Sequence, residues 1–122
     1  MNDNKPSTAK EVLSHYNQGK RYFLELDIPD GDDFRAFDLE GVTFEKCWLH
    51  TVNFQNAQLK NTVFRECNVK CSDFRGADLR NANFYGSLVK AIYLEGAHLE
   101  GASFEGAWAD GCELQKEDVP FG

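Results

Sequence analysis

Ser72-Asp73-Phe74-Arg75-Gly76, Ala77-Asp78-Leu79-Arg80-Asn81 and Ala82-Asn83-Phe84-Tyr85-Gly86 follow one another without a gap. Each has a small residue first, a large apolar residue third and a polar residue between them. Working outward in both directions, the third position stays apolar from Phe34 to Val119, eighteen pentads in one register. A period of five fits neither a helix (about 3.6) nor a flat strand (about 2). Two positions in five point inward and three outward. A chain that turns a corner every five residues satisfies this and stacks its coils into a solenoid.

Sorting the chain by twenty gives four columns of centres. Phe34, Phe54, Phe74, Leu94 and Leu114 form the first; Leu39, Leu59, Leu79, Leu99 and Val119 the second. Phe44, Phe64, Phe84 and Phe104 form the third; Leu49, Val69, Val89 and Ala109 the fourth. Each column holds nearly one residue type, as expected if every side chain packs on its equivalents ~4.8 Å above and below.

The pentads quoted first resemble the pentapeptide-repeat family, whose motif is A(D/N)LXX, over about three quarters of the chain. Weaker pentads such as Cys47-Trp48-Leu49-His50-Thr51 keep the same register. The resemblance implies an all-β fold, a right-handed quadrilateral β-helix with four pentads per coil. Most members of that family have no established activity, so the resemblance speaks to fold far more than to function.

Before this run, Thr8-Ala9-Lys10-Glu11 reads as a helix start, with Val12, Leu13 and Tyr16 on one face and Gly19 as a stop. Such a helix would cap the first coil. Phe23 and Ile28 read as two further centres. Ile28 to Phe34 is six residues, so one residue must bulge near Pro29-Asp30-Gly31. The expected organisation is a disordered tail and cap helix over 1–20, a β-helix of about five coils over 21–119, and a tail over 120–122. At ~4.8 Å per coil the rod is about 24 Å long. Pro120 should stop strand addition, and Phe121 is expected either over the last coil or in an interface.

The outward position after each centre carries Lys60, Arg65, Lys70, Arg75, Arg80 and Lys90, then Glu95, Glu100, Glu105 and Asp110. A basic girdle is thus followed by an acidic one. Column by column, Arg75 meets Glu95, Arg80 meets Glu100, Lys90 meets Asp110, Glu40 meets Lys60 and Glu45 meets Arg65. Such cross-coil pairs would be worth about 0.2–1 kcal/mol each. Lys60–Arg80 and Lys70–Lys90 are like-charge neighbours, so a residual positive field could attract an acidic partner.

The position before each centre departs from Asp or Asn in one column: Trp48, Asn68, Leu88, Trp108. Tyr93 lies outward on the adjacent column. Trp48, Leu88, Tyr93 and Trp108 are the candidate protein-interaction residues. The competing expectation has Trp48 beneath the N-terminal segment and Trp108 beneath the C-terminal tail.

Cys47 and Cys67 are twenty residues apart at a small inward position, and Cys112 falls at the same kind of position, so buried reduced thiols are expected there. Cys71 falls at a corner. No metal, cofactor or catalytic set is indicated: His15, His50 and His98 fall on separate elements, and Gly76, Gly86, Gly96, Gly101, Gly106 and Gly111 recur at corners. A filled rod offers no desolvated cleft, so no enzyme is expected. Net charge is -7 with pI ≈ 4.9, which argues against direct nucleic-acid binding. No membrane segment is read, and a cytoplasmic, bacterial protein is expected. The leading expectation is a non-catalytic interaction module, with an unidentified protein partner or a homodimer through the C-terminal end. The alternative, by resemblance, is an acidic DNA mimic acting on a type II topoisomerase.

Overall fold

The computed structural model describes residues 5–120. Phe121 lies outside the described residues. One short helix, α1 (Ala9–Asn17), is followed by a β-helix-type body. Thr8 caps α1: its side chain accepts from the Glu11 amide at 3.2 Å. The Glu11 carboxylate turns to Ser7, accepting from its backbone N–H at 2.8 Å. Ala9 and Val12 are buried against the core, with Leu13 and Tyr16 packed beside them. Gly19, at φ 105°, takes the chain out of the helix.

Pairing is parallel and advances by one coil at a time. β1 (Tyr22–Leu24), β2 (Thr43–Glu45) and β3 (Val63–Arg65) form one sheet, with Phe23 opposite Phe44 and Phe44 opposite Phe64. Elsewhere the strands shrink to single bridges, such as Asp33–Asn53–Asp73 and Trp48–Asn68–Leu88–Trp108. The offset is twenty, hence four pentads per coil. It is twenty-one for Tyr22–Thr43 and Asp27–Trp48, so the extra residue does lie before Asp33.

That extra residue makes a working loop. Asp32 Oδ2 accepts from the Ala9 amide at 2.8 Å and so docks the helix on the first coil. The Asp32 amide closes on the Pro29 carbonyl at 3.1 Å.

The core is two phenylalanine stacks set against each other. Phe34, Phe54 and Phe74 stack at 4.8 and 5.0 Å; Phe44, Phe64, Phe84 and Phe104 at 5.6, 4.8 and 4.6 Å. Between the stacks the rings meet edge to face, Phe74 and Phe84 at 90°. The small inward residues also carry hydrogen bonds. Ser72 Oγ accepts from the Val52 amide at 3.0 Å and donates to the Leu49 carbonyl at 2.6 Å, and Ser87 repeats this with Cys67 and Phe64. Cys67 Sγ donates to the Phe44 carbonyl at 3.1 Å.

The register fails after Ala109, against the expectation that Leu114 and Val119 continue it. β4 (Trp108–Ala109) and β5 (Cys112–Glu113) form an antiparallel hairpin. Its two-residue turn is Asp110 at φ 52° and Gly111 at φ 76°. Positive φ at both positions is what a type I′ turn requires, and Asp-Gly is a preferred pair for it. Cys112 is therefore exposed, not buried as its spacing suggested, because it sits on a hairpin strand instead of a coil. Leu114 packs partly against the core, and Val119 is exposed.

Candidate interaction face

Trp48, Asn68, Leu88 and Trp108 are joined in one bridge ladder, because the before-centre position points outward and repeats every coil. Trp48, Leu88 and Trp108 are 43%, 41% and 41% exposed. Among the described residues, no terminal segment buries either tryptophan. Trp48 is instead oriented from the side: its indole N–H donates to Asp30 Oδ1 at 2.8 Å, and its ring stacks on His50 at 5.2 Å. Asp30 Oδ2 lies 3.1 Å from His50 Nδ1. The indole bond holds the Asp30 carboxyl below its usual range; desolvation opposes it, and the His50 imidazole adds to the lowering.

The next outward column is His50, Lys70, Lys90, Asp110. Lys70, Leu88, Lys90 and Trp108 line a shallow cavity of ≈ 440 Å³ that ends at Asp110 and Gly111. Lys90 pairs with Asp110 at 3.3 Å, the expected cross-coil pair. Tyr93 stands on a different ladder, beyond Asp73, with the Arg75 guanidinium 5.7 Å from its ring. It is half exposed but not part of the tryptophan face.

The other expected cross-coil pairs do not form as ion pairs among the described residues. Arg75 and Arg80 turn to Asp73 and Asp78, at 2.6 and 2.7 Å. Arg35 does the same with Asp33 at 3.1 Å. Residues two apart on a strand share a side. Here the aspartate also accepts the arginine's own backbone N–H, at 2.9, 3.0 and 3.1 Å. That second bond fixes the carboxylate where the guanidinium fork can reach it, an advantage no glutamate one coil away possesses. Glu45 accepts from the Tyr22 hydroxyl at 2.9 Å instead of meeting Arg65, whose guanidinium lies 5.8 Å from the Tyr85 ring. Lys60 enters no ion pair among the described residues. The basic girdle is thus partly neutralised within its own coil. The Asp-x-Arg spacing was present in the sequence and is the signal that a column-by-column reading passes over.

No group of three or more His, Cys, Asp or Glu able to hold a metal occurs among the described residues. No helix among them is long and apolar enough to cross a membrane.

The model of a pentapeptide repeat region matches residues 33–104. The chain belongs to the pentapeptide repeat family. Among solved structures of pentapeptide repeat proteins, it is similar to Rfr23 from the cyanobacterium Cyanothece 51142, with TM-score 0.67 and 23% identity over 73% of this chain and 60% of that one. It is also similar to a pentapeptide repeat protein of the Arabidopsis thaliana thylakoid lumen, with TM-score 0.63 and 30% identity over 72% of this chain and 59% of that one. QnrB1, a plasmid-mediated fluoroquinolone resistance protein, matches at TM-score 0.37 and 25% identity over 90% of this chain and 48% of that one. The chain therefore spans about three fifths of the length of the first two relatives. No curated protein matches.

Proposed function

We propose that this pentapeptide repeat protein is a non-catalytic interaction module, built as a right-handed four-sided helix of about five coils. Its contact face is the Trp48–Asn68–Leu88–Trp108 ladder. The observation that carries this reading is the exposure of two tryptophans and a leucine in one column of a small, charged chain. The family's outward positions need no such residues, and aromatic anchors dominate binding energy at protein contacts. The ladder is rigid before binding, so little ordering entropy is lost when a partner docks. Lys70 and Lys90 beside it favour a partner with carboxylates next to its apolar anchor. The compartment we propose is the cytoplasm of a bacterium.

The test is a Trp48→Ala, Trp108→Ala double variant compared with the parent chain in partner capture. Far-UV circular dichroism should be unchanged and specific capture lost. Full partner recovery by a folded double variant overturns the reading.

A second reading, an acidic DNA mimic acting on a type II topoisomerase, is favoured by the net charge of -7. Against it stand the arginines that neutralise Asp33, Asp73 and Asp78 and break up any continuous anionic face. Unchanged gyrase supercoiling at micromolar protein removes it.

A further inference from the structure

The two ends of the rod differ. Helix α1 closes the first coil, whereas the last coil keeps an open edge. In the coil beneath it, the amides of Phe74, Gly76, Leu79, Asn81 and Phe84 donate to the carbonyls of Tyr93, Glu95, His98, Glu100 and Ser103. One coil on, the equivalent amides of Leu94, Gly96, Leu99, Gly101 and Phe104 have no backbone acceptor among the described residues. The carbonyls of Ser72, Ala77 and Ala82 each accept an amide from the next coil, but those of Ile92, Ala97 and Ala102 accept none. The cause is the Asp110-Gly111 turn. It folds the chain back so that Leu114 exchanges bonds with Gly106 and Ala107 instead of laying a further coil on the edge.

Above this edge the core is incompletely covered. Ala97, Leu99 and Ala102 are only partly buried. A cavity of ≈ 670 Å³ runs along it, walled by Tyr93, Leu94 and Leu99 on the coil side and by Asp110 and Pro120 on the tail side. The outward side chains that follow each centre at this level are Glu95, Glu100 and Glu105, and none is ion-paired among the described residues.

We propose that the edge 92–104 is a strand-addition site for a segment of another protein that repeats the edge's own five-residue spacing, with a small residue first, an apolar residue third and Lys or Arg fourth in each pentad. The segment's main chain takes up the unpaired amides and carbonyls, as in β-augmentation. Its apolar side chains fall on Leu94, Ala97 and Leu99, and its cations stand over Glu95 and Glu100. A second copy of this chain is the less suited occupant. Two rods meeting end to end would set Glu95, Glu100 and Glu105 of one level with the same residues of the other, and like charges directly opposed in a ladder are destabilising. The site is separate from the tryptophan face and does not depend on it.

The test uses fluorescence anisotropy on the full chain with a labelled peptide of repeated Ala-Thr-Val-Lys-Gly pentads. Controls are the same peptide with Glu in place of Lys, and with its edge-facing amides N-methylated. Saturable binding is expected for the Lys peptide, weakened about tenfold between about 50 and 500 mM salt. N-methylation or Glu peptide should each cost at least about tenfold, as one or two lost backbone bonds or a reversed charge require. A Glu95→Lys, Glu100→Lys, Glu105→Lys variant should lose the Lys peptide and gain the Glu peptide, while Trp48→Ala binds as the parent. The proposal is overturned if no saturable binding occurs. It is equally overturned if binding ignores N-methylation or the triple reversal, or if light scattering shows an end-to-end dimer at neutral pH occupying the edge.

Discussion

Asp78 and Arg80 form a two-bond ion pair, Arg80 Nε to Asp78 Oδ1 at 2.9 Å and Nη2 to Oδ2 at 2.7 Å, while the Arg80 amide also donates to Asp78 Oδ1 at 3.1 Å. Three donors from one residue converge on one carboxylate that is only 11% exposed. The same unit recurs at Asp33–Arg35 and Asp73–Arg75. Each bridges the two outward positions that flank a buried centre, Phe34, Phe74 or Leu79. The surface thus pins the face whose opposite side is the core.

The pair makes stability sensitive to acid. The Arg80 guanidinium, helped by its backbone N–H and opposed by burial, holds Asp78 at about 2, against an ordinary 3.8. A folded-state value below the unfolded one contributes stability that is complete above the unfolded value and lost as pH falls through the folded one. Stability should therefore decline between about pH 4 and pH 2, by at most about 2 kcal/mol from this group. At Asp73 burial pushes the carboxyl up, but the Arg75 side chain and amide outweigh it, so it adds to the same acid limb. Urea melts across this window should show an Asp78→Asn variant less stable than the parent at pH 6 and nearly equal to it near pH 2. A constant difference across the range would mean that the pair contributes through packing alone.

Phe64 sits where the two phenylalanine stacks cross. It stacks on Phe44 and Phe84 at 5.6 and 4.8 Å and meets Phe54 and Phe74 edge-on at 5.9 and 5.8 Å. Among the described residues Phe104 makes one such contact, with Phe84 at 4.6 Å. Coils above and below cannot collapse into a void in mid-rod without breaking their ladders. Phe64→Ala should cost about 3–5 kcal/mol, and Phe104→Ala clearly less, because the open end can relax around it. Denaturant midpoints with unchanged slopes check the order.

Ser72 supplies polar cover inside an otherwise apolar column. Its hydroxyl serves the Val52 amide and the Leu49 carbonyl, both buried. Ser72→Ala leaves that amide without an acceptor and should cost about 1–3 kcal/mol. Ser72→Cys should cost less, since Cys47 Sγ already accepts from the Leu26 amide at 3.4 Å at an equivalent position. Thermal unfolding of the two variants beside the parent tests the ranking.

Most of the architecture was legible because it repeats. Column identity, the helix cap at Thr8 and the loop before Phe34 all follow from spacing and residue type. The break after Ala109 was not, because two signals conflicted there. Leu114 and Val119 keep the five-residue register, yet Asp110-Gly111 is a hairpin turn, and the local turn prevailed because Gln115-Lys116-Glu117-Asp118 carries none of the motif's small inward residues that would support a coil. The charges were misread for a related reason. Columns compare residues about 4.8 Å apart, but the aspartate two positions back is fixed by a second bond. The exposed tryptophan column was legible from the repeat because outwardness is periodic, whereas its partner is not encoded in any period.

The hairpin also changes which thiols can react. Cys47 and Cys67 are 2% and 1% exposed, stacked one coil apart. Burial, with the neighbouring Cys47 thiol, pushes the Cys67 thiol far above the ordinary range, so its nucleophilic thiolate is suppressed. Cys71 lies on an exposed corner at φ 62°, and Cys112 on the exposed hairpin strand. Alkylation of the native chain followed by mass spectrometry should therefore modify Cys71 and Cys112 within minutes and spare the other two until denaturant is added. Protection of Cys112 equal to that of Cys67 would mean that residues 110–114 wind on as a further coil, closing the edge on which strand addition depends.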